Sequence, residues 1–467
     1  MHDSYKIISS SILYWFSQKK WFVFSIVIAL FLLSIGTPVG LTVPAYHSLI
    51  ILLMVFILVT SEPIPFPAIA LLALVLQVLL GVAPANEVAS SLMNDAVLFV
   101  MGSLMFAIAI VHQGLDIRLA KIIINLFGKS KRLFISGLMI ISAVLSSFLG
   151  EHTIIAIMLP IGLSVIKNVD TSNVDGKNAV LLTLFSIAYG TIIGSIGTPS
   201  GGARNVIMIN YLREFSDGAY SIGYWDWMKY AYPILMVQLI IASFVLRFAF
   251  PTSLDNIQVQ GYKKSIAKSN KATNIQHIFS SIIIGFIIAS WFLFNEEFGL
   301  GIIALCGVLI FMICGMVSWE VINKNTNWGV ILLFAATISL GFQINDTGAS
   351  SWLIDKFTSS IPQDSAFSWS FMTIITGLTA NFFTSSATTS LLGPMAIELE
   401  PNNVIFGMSA AIASGFSFLT VISSPTAMIL YSTGLVSVKL FFRIGLLMFV
   451  SSILILYLMS QFYWVML

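Results

Sequence analysis

The sequence predicts an all-α polytopic membrane protein with about eleven transmembrane helices plus two re-entrant hairpins, arranged as an inverted repeat. Three observations lead there. Of 467 residues, 58% are hydrophobic and only 9% charged, where soluble chains carry about 25% charged residues. Apolar runs of bilayer-crossing length recur along the whole chain, and mean hydropathy is +0.96. Gly, Pro and polar residues interrupt those runs at matching places in the two halves. Disordered, collagen-like and disulfide-scaffold proteins are excluded, and a soluble multi-domain enzyme is disfavoured. A net charge of +2 suggests no nucleic-acid or polyacidic partner.

A helix rises 1.5 Å per residue and must cross about 30 Å of hydrocarbon. Single spans are expected near 21–40, 45–61, 65–83, 97–114, 178–196, 225–249, 277–294, 300–317, 328–345, 403–422 and 440–463. The first follows a polar start, HDSYK, with no small-residue cleavage site, so it reads as a retained helix. Cys306 and Cys314 share one apolar run and read as packing residues rather than a disulfide or metal pair. With the N-terminus cytoplasmic, 18 of the 22 Lys and Arg fall on the inner side, three fall outside, and Arg204 lies in an interrupted span. That bias sets the orientation in the cell (inner) membrane. The polar stretch 251–275 then becomes a cytoplasmic linker between halves 1–250 and 276–467.

Two pairs of apolar runs are too short for full spans. Residues 133–149 and 154–166 flank Gly150, Glu151, His152 and Thr153; residues 366–383 and 387–399 flank Thr384, Ser385 and Ser386. Both read as re-entrant hairpins, over 131–166 (inner) and 366–400 (outer), with polar tips near mid-membrane. Two short tilted spans with an exposed turn are the alternative. The repeat favours hairpins: Gly114 pairs with Gly348 at the same offset as Pro160 with Pro394, and in that register 95–114 aligns without gaps on 329–348. GSIGTPSGG interrupts the broken helix at 178–212 and VISSPTAM the one at 403–435; Pro199 and Pro425 pair there at a slightly shorter offset. Paired Gly/Pro-interrupted segments in matching positions point to a transporter binding site.

Further stretches resemble the divalent anion:sodium symporter family of di- and tricarboxylate and sulfate transporters. They are SEPIPFPAIALL (61–72), GLDIRLA (114–120), TIIAIMLPIG (153–162), GTIIGSIGTP (190–199), NWGVILLF (327–334), TSSATTSLLGP (384–394), SSPTAMILYSTG (423–434) and FRIGL (442–446). The resemblance covers roughly 45–463. It implies a homodimer in which a scaffold domain holds a mobile transport domain working by elevator-type alternating access. It also implies a small anionic substrate between two hairpin tips and two broken helices, with sodium bound nearby. Sodium would then sit by Thr384, Ser386, Ala387 and Ser423. In that family each tip carries Ser-Asn-Thr. Here the first tip has Gly150-Glu151-His152 and the second Thr384-Ser385-Ser386, so the first sodium site is where the chain departs from the pattern.

A dianion in a low-dielectric cavity needs hydrogen-bond donors and positive potential, which helix N-termini aimed at mid-membrane supply. Gly150, Glu151, His152 and Thr153 at one tip and Thr384, Ser385, Ser386 and Thr388 at the other are therefore candidate substrate contacts. So are Thr198, Pro199, Arg204 and Asn205 in the first break, and Ser424, Pro425 and Thr426 in the second. Arg204 stands out, because a charge in the bilayer interior needs a partner or a role. It could clamp a carboxylate or replace a sodium charge, with Glu151 as its protein partner; alternatively the span ends early and Arg204 meets the outer surface. Glu151 and His152 could couple transport to protons. Sodium at the second site alone and counter-exchange are the other options. A sodium/proton antiporter or arsenite permease would need acidic residues at both breaks, and the second offers only hydroxyls. An intramembrane lipid-processing enzyme would need ionisable clusters on one membrane face. No P-loop is present for ATP-driven transport, and no cofactor beyond sodium is expected.

Overall fold

The computed structural model describes residues 19–61, 63–113, 126–127, 130–167, 169–215, 220, 222–253, 274–358, 365–382, 384–400, 403–421 and 423–467. The GLDIRLA stretch and most of the expected linker lie outside them, as does the side chain of His152. Every regular element among the described residues is helical.

The first three helices, α1 (Lys20–Ile35), α2 (Val43–Ser61) and α3 (Phe66–Leu79), precede a series of elements that occurs twice. In the first half it runs α4 (Ala85–Leu92), α5 (Asp95–His112), the helix pair α6 (Lys131–Leu149) and α7 (Glu151–Ile166), and α8 (Val174–Gly194). A 3-10 turn, Pro199–Gly201, then leads into α9 (Ala203–Phe215) and α10 (Tyr224–Ala249). A long helix, α11 (Asn274–Ile313), is bent at Gly299, whose φ is 74°. The second half then brings α12 (Trp319–Asn325), α13 (Trp328–Asp346), α14 (Ala349–Thr358), the pair α15 (Ser365–Thr379) and α16 (Ser385–Leu399), α17 (Val404–Ser414), α18 (Pro425–Ser432) and α19 (Val438–Leu458).

Local chemistry sets many of these boundaries. The side chains of Asn94, Ser130 and Asn173 accept hydrogen bonds from Val97 N (3.1 Å), Leu133 N (3.1 Å) and Gly176 N (2.7 Å), capping α5, α6 and α8. Pro160 and Pro394 lie inside α7 and α16. At the bend in α11, the Asp95 carboxylate accepts from Leu300 N (3.1 Å) and Gly301 N (3.0 Å), so α5 caps the second arm of α11 from outside.

Four helical runs among the described residues, Ala85–His112, Val174–Gly194, Tyr224–Ala249 and Val438–Met466, are long and apolar enough to cross a membrane. The other apolar helices are shorter, from Lys20–Ile35 to Val404–Ser414. A helix stands at each expected span, but the one at 403–422 ends at Ser414, and 277–294 and 300–317 lie in one bent helix. Outward faces are apolar at helical spacing: Met236, Ile240, Phe244 and Phe248 on α10, and Phe442, Leu446, Val450, Leu454 and Leu458 on α19, are all exposed. Such stripes would be untenable in water and suit lipid. Cys306 and Cys314 also face outward as free thiols, rather than packing inside as the sequence reading had it; a thiol facing hydrocarbon is not penalised as it would be in a polar shell.

Two cores result. The larger joins α5–α11 to α15–α19 and has α8 at its centre, buried along most of its length. A smaller one is shared by α2, α3 and the middle of α13.

Candidate functional site

The first pair of helices turns on one residue. Gly150 has φ 75° and ψ 154°, ends α6 and begins α7 with no side-chain cap. A side chain there would be strained. Glu151, His152 and Thr153 occupy the first helical turn of α7, rather than forming a loop as the sequence reading had it. An acidic residue is well placed at a helix N-terminus, so the polar run does not interrupt the helix. Gly150 lies against the first break, where a methyl group on it would come within 3.7 Å of Gly201 O.

That break spans Ser195 to Gly202, and neighbours satisfy its freed carbonyls. Ser146 Oγ donates to Thr191 O (2.8 Å), and Ser147 Oγ contacts both Gly194 O (2.8 Å) and Ala143 O (3.0 Å). Thr198 Oγ1 donates back to Ser147 O. Asn205 Nδ2 donates to Ser195 O (3.0 Å) and Thr198 O (2.7 Å), and Trp227 Nε1 to Ile196 O (2.9 Å). Gly190 and Gly194 let α6 come close enough for these bonds, since a Cβ at either would overlap Met139 O or Ala143 O.

The second half is built alike. Thr384 caps α16 by accepting from Ala387 N (3.3 Å), and Ser385 and Ser386 are its first helical residues. The break begins at Gly415, earlier than the VISSPTAM stretch, and lasts until Ser424, which caps α18 by accepting from Ala427 N (3.1 Å). Asn381 Nδ2 donates to Gly377 O (2.7 Å) and Phe416 O (2.9 Å), while its Oδ1 accepts from Leu419 N (2.7 Å). Thr420 Oγ1 donates to Asn381 O. Ser423 Oγ contacts Ser417 O (3.1 Å) and Thr420 O (2.7 Å).

Arg204, in the first turn of α9, joins these parts. It is 2% exposed, which removes the outer-surface alternative. Its guanidinium donates to Ser195 Oγ (2.7 Å) in the first break and Ser385 Oγ (3.2 Å) at the second tip. It also lies against Gly415, where a Cβ would stand 2.9 Å from Nε. Glu151, the expected partner, is buried, but the two make no contact ion pair. Two serine hydroxyls stand nearer and take the donors instead.

The candidate residues therefore converge. Contacts link the Gly150 tip to the first break, and Arg204 links that break to the Ser385 tip and the second break. Each pair's second helix also lies on the other half's broken helix, α7 against α18 and α16 against α9. Arg204 lies in the first turn of α9 and bonds the first residue of α16, so the N-termini of two helices meet at its charge. Among the described residues, Arg204 Nε, Asn205 Oδ1, Thr388 Oγ1 and Thr426 Oγ1 are buried without a hydrogen-bond partner. Pro199 and Pro425 head the 3-10 turn and α18. Sequence reasoning missed Ser147, Ser195 and Asn381. Ser147 and Asn381 stand at the same offset as Pro160 and Pro394, and that register was the available signal.

Comparisons with known proteins bear on the family and the fold. The chain is 26% identical to the sodium-dependent dicarboxylate transporter SdcS of Staphylococcus saprophyticus, over 86% of this chain and 83% of that protein. It is 24% identical to an uncharacterised transporter of Haemophilus influenzae, over 96% and 98% of the two chains. The crystal structure of the Alcanivorax borkumensis YdaH transporter, described as having an unusual topology, shares the fold with a TM-score of 0.56. It is 10% identical and matches 81% of this chain and 87% of that one. The model of the sodium:sulfate symporter transmembrane region matches residues 17–467. With nearly its whole length matched, and with paired breaks around a buried cation, the chain belongs to the sodium:sulfate symporter family.

Proposed function

We propose that the protein is a secondary active transporter of small divalent anions (dicarboxylate, tricarboxylate or sulfate) in the cell membrane, coupled to sodium. One observation carries this reading. Arg204 is buried where the second tip meets both breaks, and its Nε has no partner among the described residues. A dianion entering there meets a fixed positive charge, a fork of donors and several helix N-termini. The sodium-dependent dicarboxylate relatives support the substrate class and the coupling ion.

In this reading the two helix pairs are re-entrant hairpins and the halves are related by inversion across the membrane, with the N-terminus cytoplasmic. Sodium binds by the second tip, near Thr384, Ser386, Ala387 and Ser423. Arg204 supplies in the first half the charge a second sodium would bring. Movement is of the elevator type: α6–α10 and α15–α19 carry the substrate past a scaffold that includes α1–α3 and α13, and the core that α2 and α3 share with one face of α13 supports that grouping. The scaffold also joins two copies as a homodimer.

Uptake of labelled succinate, citrate, malate, tartrate and sulfate into proteoliposomes, with sodium and pH gradients varied independently, tests this. Saturable uptake of one dianion, driven by sodium with a Hill coefficient of about 1, is expected. Uptake indifferent to sodium would refute the coupling. Proton coupling is the second reading, favoured by a buried Glu151 with no contact ion pair among the described residues. It requires a pH gradient alone to drive uptake, and Glu151→Gln to abolish that response.

A further inference from the structure

The two halves tie tip to break with the same set of bonds. Ser147 reaches Ala143 O and Gly194 O with its side chain, and its own carbonyl accepts from Thr198 Oγ1. Asn381 reaches Gly377 O and Phe416 O, and its own carbonyl accepts from Thr420 Oγ1. Ala143 and Gly377 keep the offset of Pro160 and Pro394, while Gly194 with Phe416 and Thr198 with Thr420 share a second, shorter one. The carbonyls gripped inside each break keep that second offset. Ser195 and Thr198 are held by Asn205, while Ser417 and Thr420 are held by Ser423.

The difference in donor follows from helix spacing. Gly190 and Gly194 bring α6 and α8 close, so a hydroxyl spans the gap. At the matching places the second half has Ile412 and Phe416, both buried. Side chains thus stand where the first half has none, and there the longer amide arm of Asn381 makes the bond to Phe416 O. The shared bonds thus persist although the residues that make them differ.

We infer that Ser147 and Asn381 are positioning residues for anion binding: each fastens a hairpin tip to the break of its own half, so that tip and break present their donors as one rigid unit. Neither touches the anion. This inference rests on the transport reading for its role and on the bonds above for its geometry. Removing one fastening lets that tip drift from its break. A misplacement of about 1 Å at such a site costs on the order of 100-fold when it falls on reacting groups; for binding by several donors about tenfold is expected.

Two measurements on the full-length protein test it. The first is amide hydrogen exchange in detergent micelles, for wild type, Ser147→Ala, Asn381→Ala and the isosteric Asn381→Asp, which keeps the acceptor and loses the donors. Both Asn381 variants should exchange about tenfold faster over 415–421 with 195–202 unchanged, and Ser147→Ala the reverse. Equal exchange in both breaks, whether slow or uniformly fast, overturns the proposal. The second is dianion uptake in proteoliposomes, where each variant should raise KM about tenfold and leave Vmax within about threefold. Local loosening with an unchanged KM also overturns it. If wild-type liposomes carry no dianion at all, the transport reading fails, while the exchange pattern still decides whether the fastening exists.

Discussion

Burying a guanidinium against two hydroxyls costs several kcal/mol that a neutral side chain would not incur. Arg204 has no contact ion pair among the described residues to offset that cost, so its presence speaks for a ligand rather than for stability. Arg204→Met should leave the melting temperature unchanged or raised, while dianion uptake falls at least about 100-fold, as for the loss of a charged hydrogen-bonding group. A coincident loss of folding would assign Arg204 to structure. Gly415 has ordinary helical backbone angles, yet any side chain there strikes the guanidinium. Gly415→Ala should keep the fold and lower uptake about tenfold, read as KM in liposomes. The importance of Arg204 was legible in the sequence, because a charge inside an apolar run is conspicuous. Its partners were not: Glu151 is the obvious counter-charge, but distance decides, and serines are too common in such helices to single out two.

Among the elements, α11 depends most on one contact. Its second arm starts at the positive-φ Gly299, and its first free N–H groups are met by Asp95 of α5. Asp95→Ala leaves those donors unsatisfied and should destabilise the protein by about 1–3 kcal/mol, seen as a melting temperature lowered by several degrees in detergent. No change would mean that another group replaces the cap. Helix positions were readable from apolar runs, but some ends were not. The first tip was read as four polar residues and is one glycine, because Glu, His and Thr are tolerated in a first helical turn. The second break starts upstream of its proline, at Gly415, because the carbonyls released there are already held by Asn381 and Ser423.

Across the whole molecule, the repeat was visible as one offset shared by paired glycines and prolines, and that offset holds through the helix pairs. Beyond them the sequence pairing of Pro199 with Pro425 is corrected by the bonds, which match Gly194 to Phe416 and the start of α9 at Ala203 to that of α18 at Pro425. Proline suits the first position of a 3-10 turn and of an α-helix equally, so it marks both without making them equivalent. What no sequence pattern could give is which half's hairpin rests on which broken helix.

That crossed seating, α7 on α18 and α16 on α9, makes the two halves mutually dependent. A gene cut in the codons for 254–273 would yield two fragments, each lacking the other's side of the cradle. Produced singly, neither should accumulate in a folded form; produced together, they should co-purify and regain uptake. A fragment that bound dianion unaided would mean that the cradle belongs to one half alone.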